Sequence, residues 1–400
     1  MPQPMSSFSM PRRGLIRGTG AGLIAASGSA AAQQGDPAPV RAIGRPMPKL
    51  EREAPLSPEE RVGFAVVGLG KFALNQILPS FAFCRQAKLV SLVSGDAAKA
   101  REVARQYGVP ESGIHDYANY DRIADDPAIQ VVYVILPNAL HAEYTQRAFR
   151  AGKHVLCEKP MAVSSAEARE MIAAGRAAGR KLMVAYRAQY ETFNRKAIEM
   201  IREGELGKLR LITSDHGRPA KPEEPADQWR LQRALAGGGS LFDVGIYAVN
   251  AMRYLSGEEP EEVMAMTQSD PDDPRFREVE DRTTWQFRMP SGLLCNGSTS
   301  YSYFETKRLS VLGTDAALRM DPATDYDLRR MWVSREGERE AELLLPMNNQ
   351  FAAGLDHMAE CVRENRDPRT PGEEGLRDML AMEAIYEAAR TGRTVRVGTP

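Results

Sequence analysis

The chain is sparing with residues that would each have announced a chemistry. Only four cysteines occur in 400 residues, Cys84, Cys157, Cys295 and Cys361, with no Cys-x-x-Cys pair and no nearby histidines at metal-ligand spacing. That scatter argues against a zinc site or a disulfide framework, so all four are expected as reduced thiols and no metal is expected. Basic charge is not in excess either: 52 Lys and Arg stand against 53 Asp and Glu, a formal charge of −1. No basic patch asks for nucleic acid. The apolar stretch near the N-terminus, Gly18 to Ala26, is far short of the roughly 20 residues that span a bilayer. What is there is an ordinary soluble composition, 43% hydrophobic and 26% charged, on a chain long enough for two cores.

The N-terminus reads as an address. Arg12, Arg13 and Arg17 form a charged segment, Leu15-Ile16 follows the arginine pair, and Ala30-x-Ala32 offers the small residues of a cleavage site. This pattern fits a twin-arginine signal over residues 1–32, cut after Ala32, carrying an already folded protein to the periplasm. Its removal takes away three arginines and no acid, moving the formal charge from −1 to −4, and leaves no membrane attachment. Residues 33–60 hold Pro37, Pro39, Pro46, Pro48, Pro55 and Pro58, a density that keeps a chain extended without a core of its own. Such an arm is either disordered or laid across a neighbouring subunit.

From Arg61 strands and helices alternate, and residues 61–185 are predicted to form a parallel-sheet domain. The buried-type strand Val62 to Val67 runs into Gly68-Leu69-Gly70-Lys71-Phe72-Ala73, a G-x-G-x-x-A turn at a strand end and helix start. There the first glycine permits the tight turn, the second lets backbone approach a pyrophosphate, and the helix N-terminus faces the phosphates. The second strand, Leu89 to Ser94, ends in Ser94-Gly95 where an NAD site usually has a carboxylate, with Lys99 one helical turn on. Ser94, Gly95 and Lys99 suit a 2′-phosphate, which predicts NADP, while Asp96 keeps NAD as the alternative. Further strands, Val131 to Leu136 and His154 to Cys157, end in Pro137-Asn138 and Glu158-Lys159-Pro160, the position where open parallel sheets bind ligands. His141 opens the next helix, Ser164 with Glu167 forms a capping box, and the strand Lys181 to Tyr186 leads to Arg187.

Residues 186–400 change rhythm to long amphipathic strands. Leu209 to Asp215, Glu262 to Gln268, Thr283 to Met289, Leu293 to Tyr301, Lys307 to Gly313 and Ala317 to Met320 pair as an open, mostly antiparallel sheet in an α+β domain. Gly237-Gly238-Gly239 leads into a helix on which Asp243 and Tyr247, four apart, share a face. The helices Asn349 to Asn365 and Gly372 to Thr391 have core-type spacing.

Gly68-Leu69-Gly70, Glu158-Lys159-Pro160 and the glycine run leading to Asp243 and Tyr247 resemble the Gfo/Idh/MocA oxidoreductases over nearly the whole mature chain. Most of that family has histidine where this chain has Tyr247. Tyrosine there, with Leu136-Pro137-Asn138, Gln228-Trp229-Arg230 and the exported Pro-rich N-terminus, is similar to the branch of glucose-fructose and aldose-aldose oxidoreductases. The resemblance implies a Rossmann domain plus an open-faced sheet domain, NADP bound without exchange, sugar substrates, and oligomers joined through the sheet. It also implies cofactor or substrate contacts from Leu69, Lys71, Phe72, Tyr117, Arg187, Tyr190, Trp229, Arg230 and Tyr326.

Residue chemistry gives roles at the centre. Oxidising a sugar hemiacetal removes the C1 hydroxyl proton as hydride leaves C1, and Tyr247 is the candidate base. A free phenol titrates near pH 10, so it needs a neighbouring cation, for which Lys159 is the candidate, with Asp243 holding Lys159 or the sugar hydroxyl in line. The same groups run in reverse would reduce a second sugar, giving a lactone and an alditol in ping-pong order. Two other readings stand beside this one: a sugar or cyclitol dehydrogenase with exchangeable NADP, and a non-catalytic sugar or NADPH sensor.

Overall fold

The computed structural model describes residues 54–399. The proposed signal and most of the Pro-rich arm lie outside the described residues. Within them, the end of that arm rests against the first domain, Leu56 N–H donating to the Arg85 carbonyl at 3.0 Å and Lys88 Nζ to the Pro58 carbonyl at 2.7 Å.

Six strands make the first sheet: β1 (Val62–Val67), β2 (Ala87–Val93), β3 (Ile114–His115), β4 (Val131–Val134), β5 (His154–Cys157) and β6 (Leu182–Val184). They lie parallel in the order β3-β2-β1-β4-β5-β6, the doubly wound Rossmann arrangement. Every residue of β1 is buried, as expected of a strand covered on both faces. The helix Ala97–Tyr107 is capped by Asp96, whose carboxylate accepts from Lys99 N–H, and Ser164 caps Ser165–Ala177. Glu167 completes that second cap one residue further out than a standard box, on Val163 N–H at 3.2 Å. After the glycine turn the helix opens into a π-turn, Ala73–Ile77, just before Pro79, which has no N–H to give an ordinary helical bond.

The second sheet has nine strands: β7 (Leu209–Gly217), β8 (Glu262–Gln268), β9 (Arg282–Arg288), β10 (Leu294–Ser300), β11 (Thr306–Gly313), β12 (Ala316–Met320), β13 (Met331–Arg335), β14 (Ala341–Glu342) and β15 (Val395–Arg396). Their order is β14-β13-β12-β11-β7-β10-β9-β8-β15, antiparallel throughout except for the parallel pair β7–β10. Strict alternation of exposed and buried residues along β9 shows one face packed and one open. The helices Ile246–Ser256 and Gly372–Thr391 cover the packed face. The two-residue strands β3, β14 and β15 are too short to display a period, and neither they nor β13 was foreseen from the sequence.

The last helices also serve the first sheet. Phe351, Leu355, Met358 and Ala359 of the helix Gln350–Arg363 join the core built on Phe64, Val66 and Leu92, and Val184 N–H bonds to the Thr370 carbonyl at 2.8 Å. This brings Gln350 and Thr370 beside the carboxyl ends of β5 and β6, where Lys159 and Arg187 emerge.

Candidate active site

The glycine turn fits a dinucleotide. Gly68 has φ +96°, and a Cβ there would lie 2.2 Å from the Ile135 carbonyl oxygen, so no other residue fits between β1 and β4. Gly70 is exposed, and a Cβ would meet nothing within 4 Å. Its lack of a side chain serves no neighbour in the protein, which is what close approach of a phosphate to bare backbone demands. Leu69 beside it is buried. At the end of β2, Ser94 is buried with Oγ accepting from Asp96 N–H at 3.2 Å, while Gly95 and Lys99 are exposed and the Tyr117 ring lies against Gly95. Lys71 reaches across to Glu224 at 3.2 Å. Phe72 packs with Tyr326 and Phe351, ring centroids 6.3 and 5.7 Å away, which sets Tyr326 beside the start of the first helix.

The reacting groups gather beyond β5, β6 and β7. The Gly237 turn leads into a π-turn, Leu241–Gly245, before the helix Ile246–Ser256, so Asp243 sits within a widened turn and Tyr247 just beyond it, not on one regular α-helical face. Glycine is required throughout this run: Cβ atoms on Gly238 and Gly239 would stand 2.2 Å from Tyr386 Oη and 2.1 Å from the Glu280 carbonyl oxygen. The buried Glu280 carboxylate accepts from Gly239 N–H (2.8 Å), Leu241 N–H (2.9 Å) and Tyr386 Oη (2.9 Å), and burial holds its pKa above the ordinary carboxyl value despite these bonds.

Lys159 Nζ donates to the Asp243 carbonyl at 2.6 Å, stands 3.7 Å from Asp243 Oδ1, and lies 4.8 Å from the centre of the Tyr247 ring. It therefore faces the ring and not the hydroxyl. The cation at the hydroxyl is Arg187, whose Nε donates to Tyr247 Oη at 3.0 Å. Arg187 is itself fixed by Gln350 Oε1 at 2.8 Å and the Thr324 carbonyl at 2.7 Å, and its guanidinium lies 4.6 Å from the Tyr326 ring centre. On the other side the Tyr247 ring stacks on His216 at 5.7 Å. Burial, followed by Arg187, Lys307 and Lys159, pushes the His216 pKa down to about 3, so this imidazole is neutral and its Nε2 is paired with Thr324 Oγ1 at 2.7 Å.

Asp243 is a carboxylate under three cations. Arg218 Nη2 reaches Oδ2 at 3.0 Å, Arg230 Nε reaches Oδ1 at 3.2 Å, and Lys159 adds its charge. Burial alone would raise its pKa, but Arg230, Arg218 and Lys159 together hold it well below the usual carboxylate range. Arg218 is anchored by a bidentate pair with Asp227 at 2.9 and 2.8 Å, and Arg230 lies 4.3 Å over the Trp229 ring. Glu158 accepts from Tyr133 Oη at 2.6 Å, and burial raises its pKa.

Two expected contacts turn out to be braces. His141 is buried between two carbonyls, Pro160 at 2.8 Å and Leu136 at 2.9 Å, and its single ring N–H donates to one of them, so it sits wedged between the loop after β4 and the loop carrying Lys159 with neither nitrogen open to a cofactor. Burial presses its pKa down to about 4. Asn138 is likewise buried, its amide donating to the Ala236 carbonyl at 2.8 Å, which pins the Gly237 turn next to Pro137. Tyr190, expected at the substrate, is 3% exposed with its hydroxyl 3.0 Å from Thr370 Oγ1, and the structure does not bring it to Tyr247. Arg218, Asp227, His216, Glu280 and Gln350 were not foreseen. Strand-end logic would have pointed to His216 and Arg218 at the end of β7, but the others gain meaning only through partners distant in the chain.

A dinucleotide-type turn opening onto a partly buried Lys–Asp–Tyr cluster at the meeting of two sheets defines a two-domain oxidoreductase. Residues 62–186 match the family described as "Oxidoreductase family, NAD-binding Rossmann fold" and residues 198–397 its "C-terminal alpha/beta domain"; the chain belongs to the Gfo/Idh/MocA oxidoreductase family. Among solved structures it is similar to aldose-aldose oxidoreductase from Caulobacter crescentus in complex with glycerol, with a TM-score of 0.81 and 46% identity over 84% of this chain and 100% of that one. Among curated proteins it is 32% identical to D-xylose 1-dehydrogenase [NADP(+)] of Haloarcula marismortui, over 84% of this chain and 93% of the relative. It is 28% identical to 1,5-anhydro-D-fructose reductase of Ensifer adhaerens, over 78% and 92%. The protein is a sugar-oxidoreductase type of enzyme.

Proposed function

We propose that this enzyme oxidises an aldose at C1 to an aldonolactone and passes the hydride to a second sugar, aldose or ketose, through an NADP that stays bound between the two half-reactions. The observation that carries the reading is Tyr247 Oη on Arg187 Nε at 3.0 Å, with Lys159 over the same ring. Gly68 and Gly70 with Ser94, Gly95 and Lys99 are the residues that would hold the cofactor, which when bound supplies the hydride acceptor and donor. The Asp96 carboxylate, the feature that favoured NAD, is taken up in capping Lys99 N–H at 3.0 Å, which supports the phosphorylated form.

Tyr247 then takes the C1 hydroxyl proton. Arg187 at its hydroxyl and Lys159 over its ring stabilise the negative charge that develops on the Tyr247 oxygen as the proton moves. Lys159, fixed by Asp243, orients the sugar oxygen and screens the charge that develops there. In the second half-reaction Tyr247 returns the proton to the carbonyl oxygen of the acceptor, so proton and hydride balance over the cycle and no free cofactor is consumed. Export to the periplasm by the twin-arginine route suits such a closed cycle, since no nicotinamide pool is needed. The open sheet face, with Met264 and Met266 58% and 77% exposed, is the proposed surface for self-association.

The test is an assay of sugar pairs without added cofactor on extensively dialysed protein. One lactone formed per alditol, with nicotinamide still stoichiometric with protein, is the expected result. The relationship to an NADP xylose dehydrogenase favours a second reading, an NADP-linked sugar dehydrogenase with exchangeable cofactor. Cofactor lost on gel filtration, with steady NADPH production from one sugar and added NADP, would establish that reading instead.

A further inference from the structure

Behind the turn that carries Arg187 lies a second cleft, of about 610 Å³, between the helices Thr192–Arg202 and Gln350–Arg363. Its walls include Tyr190, Arg195, Asn348, His357 and Arg369, and none of the groups assigned to the reaction lines it. The carboxylates on its walls are already engaged. Glu199 pairs with Lys196 at 2.7 Å and Glu360 with Arg366 at 2.5 Å, while Asp356 accepts from the backbone N–H groups of Arg85, Gln86 and Ala87 at 2.8–3.0 Å.

Two cations are left over. Among the described residues neither Arg195 nor Arg369 has a carboxylate partner. Arg369 is held in place without being neutralised: Nη1 donates to the Gln189 carbonyl at 2.9 Å, and its guanidinium lies 5.2 Å from the centre of the Tyr190 ring. Burial and the field of Arg195 pull its pKa below the ordinary value, the signature of a cation that lacks an anion. His357 adds a donor. Its Nε2 accepts Arg369 N–H at 2.9 Å, and burial presses its pKa down to about 4, so the ring is neutral with its hydrogen on Nδ1. The nearest carboxylate oxygen to that Nδ1, on Glu360, is 3.9 Å away, beyond hydrogen-bond reach. In a chain of formal charge −1 this local surplus is not a by-product of composition.

The geometry points to a binding site for a small oxyanion, a carboxylate or phosphate group, held between Arg195 and Arg369 with His357 as a neutral donor. The cleft has room for a molecule of monosaccharide size attached to that group, with the Thr192 hydroxyl on its wall. A sugar acid and a phosphorylated metabolite share this chemistry. The site does not depend on which redox cycle the enzyme runs.

Calorimetric titration of the full protein, saturated with NADP so that the dinucleotide site is filled, tests it with two probes: inorganic phosphate and gluconate. Saturable binding of phosphate or gluconate is expected, with half-saturation below about 1 mM, and a loss of about tenfold in Arg195→Gln, the effect of one charge-assisted hydrogen bond. Gluconate the tighter would identify a sugar-acid site, phosphate the tighter a site for phosphorylated ligands. Arg195 is exposed, so its substitution leaves the fold intact, and sugar oxidation by that variant should be unchanged. Absence of saturable binding by either anion, or binding of undiminished strength in both Arg195→Gln and Arg369→Gln, overturns the proposal.

Discussion

In the turn at Gly68 the second glycine faces open space, whereas in the turn at Gly237 each following glycine faces an atom already in place. A Cβ on Gly70 meets nothing, but one on Gly239 would run into Glu280 and one on Gly238 into Tyr386. The first turn keeps a vacancy for a ligand and the second closes a joint between domains. In the second, the Gly239 and Leu241 N–H groups donate to the buried Glu280 carboxylate. Similar glycine runs can thus leave room for a cofactor or fix the path of the chain that places Asp243 and Tyr247.

The sharpest way to break the comparison is at the group the second turn delivers. Tyr247→Phe keeps the ring stacked on His216 and removes the proton acceptor, so kcat for sugar oxidation should fall by about 10²–10⁴ with the fold intact. Arg187→Gln should lower kcat less, by about tenfold, because a charge-assisted hydrogen bond at the Tyr247 hydroxyl is lost. A kcat that does not fall would return the activating role to Lys159.

Alanine at the two positions of the first turn separates room for the chain from room for the ligand. Gly68→Ala puts a Cβ 2.2 Å from the Ile135 oxygen at φ +96° and should destabilise the apoprotein by roughly 2–4 kcal/mol. Gly70→Ala should leave apoprotein stability within about 0.5 kcal/mol while nicotinamide affinity falls about tenfold or more. Denaturant melts and cofactor titration of both variants distinguish these outcomes; equal stability losses would erase the contrast.

The smallest effect concerns the brace. Glu280→Gln turns one acceptor toward a donor and should cost about 1–3 kcal/mol. Burial raises the folded pKa of Glu280, so its contribution is full below the ordinary carboxyl value near 4.3 and declines as pH rises through the raised value. The stability gap between wild type and variant should therefore narrow as pH rises from about 4, as read by melts across a pH series.

Much of this was legible because strand ends in a parallel sheet point to one place. While Arg187 came from the family resemblance, that rule located Lys159 and Glu158 from their positions after apolar runs. It failed for His141 and Asn138, whose polarity read as cofactor contact, because a buried loop crossing also needs hydrogen bonds and takes them from whatever side chain is near. The resemblance placed Tyr190 at the substrate, but the helix Gln350–Arg363 and the Thr370 segment, far along the chain, cover that side of β6. The four-residue spacing of Asp243 and Tyr247 suggested a regular helix, and the π-turn between them left no mark in residue type.

The sequence by itself determined the parallel sheet, the dinucleotide turn, the family, and the presence of a lysine, an aspartate and a tyrosine suited to moving a proton from a sugar hydroxyl. These follow from local pattern, since periodicity and glycine geometry act over a few residues. Only the tertiary structure decided that Arg187 and not Lys159 meets the Tyr247 hydroxyl, that Arg218 and Arg230 clamp Asp243, and that Arg195 and Arg369 share a cleft without a counter-charge. Such pairings depend on distance, and residues separated by dozens to more than a hundred positions acquire a distance only when the chain has folded.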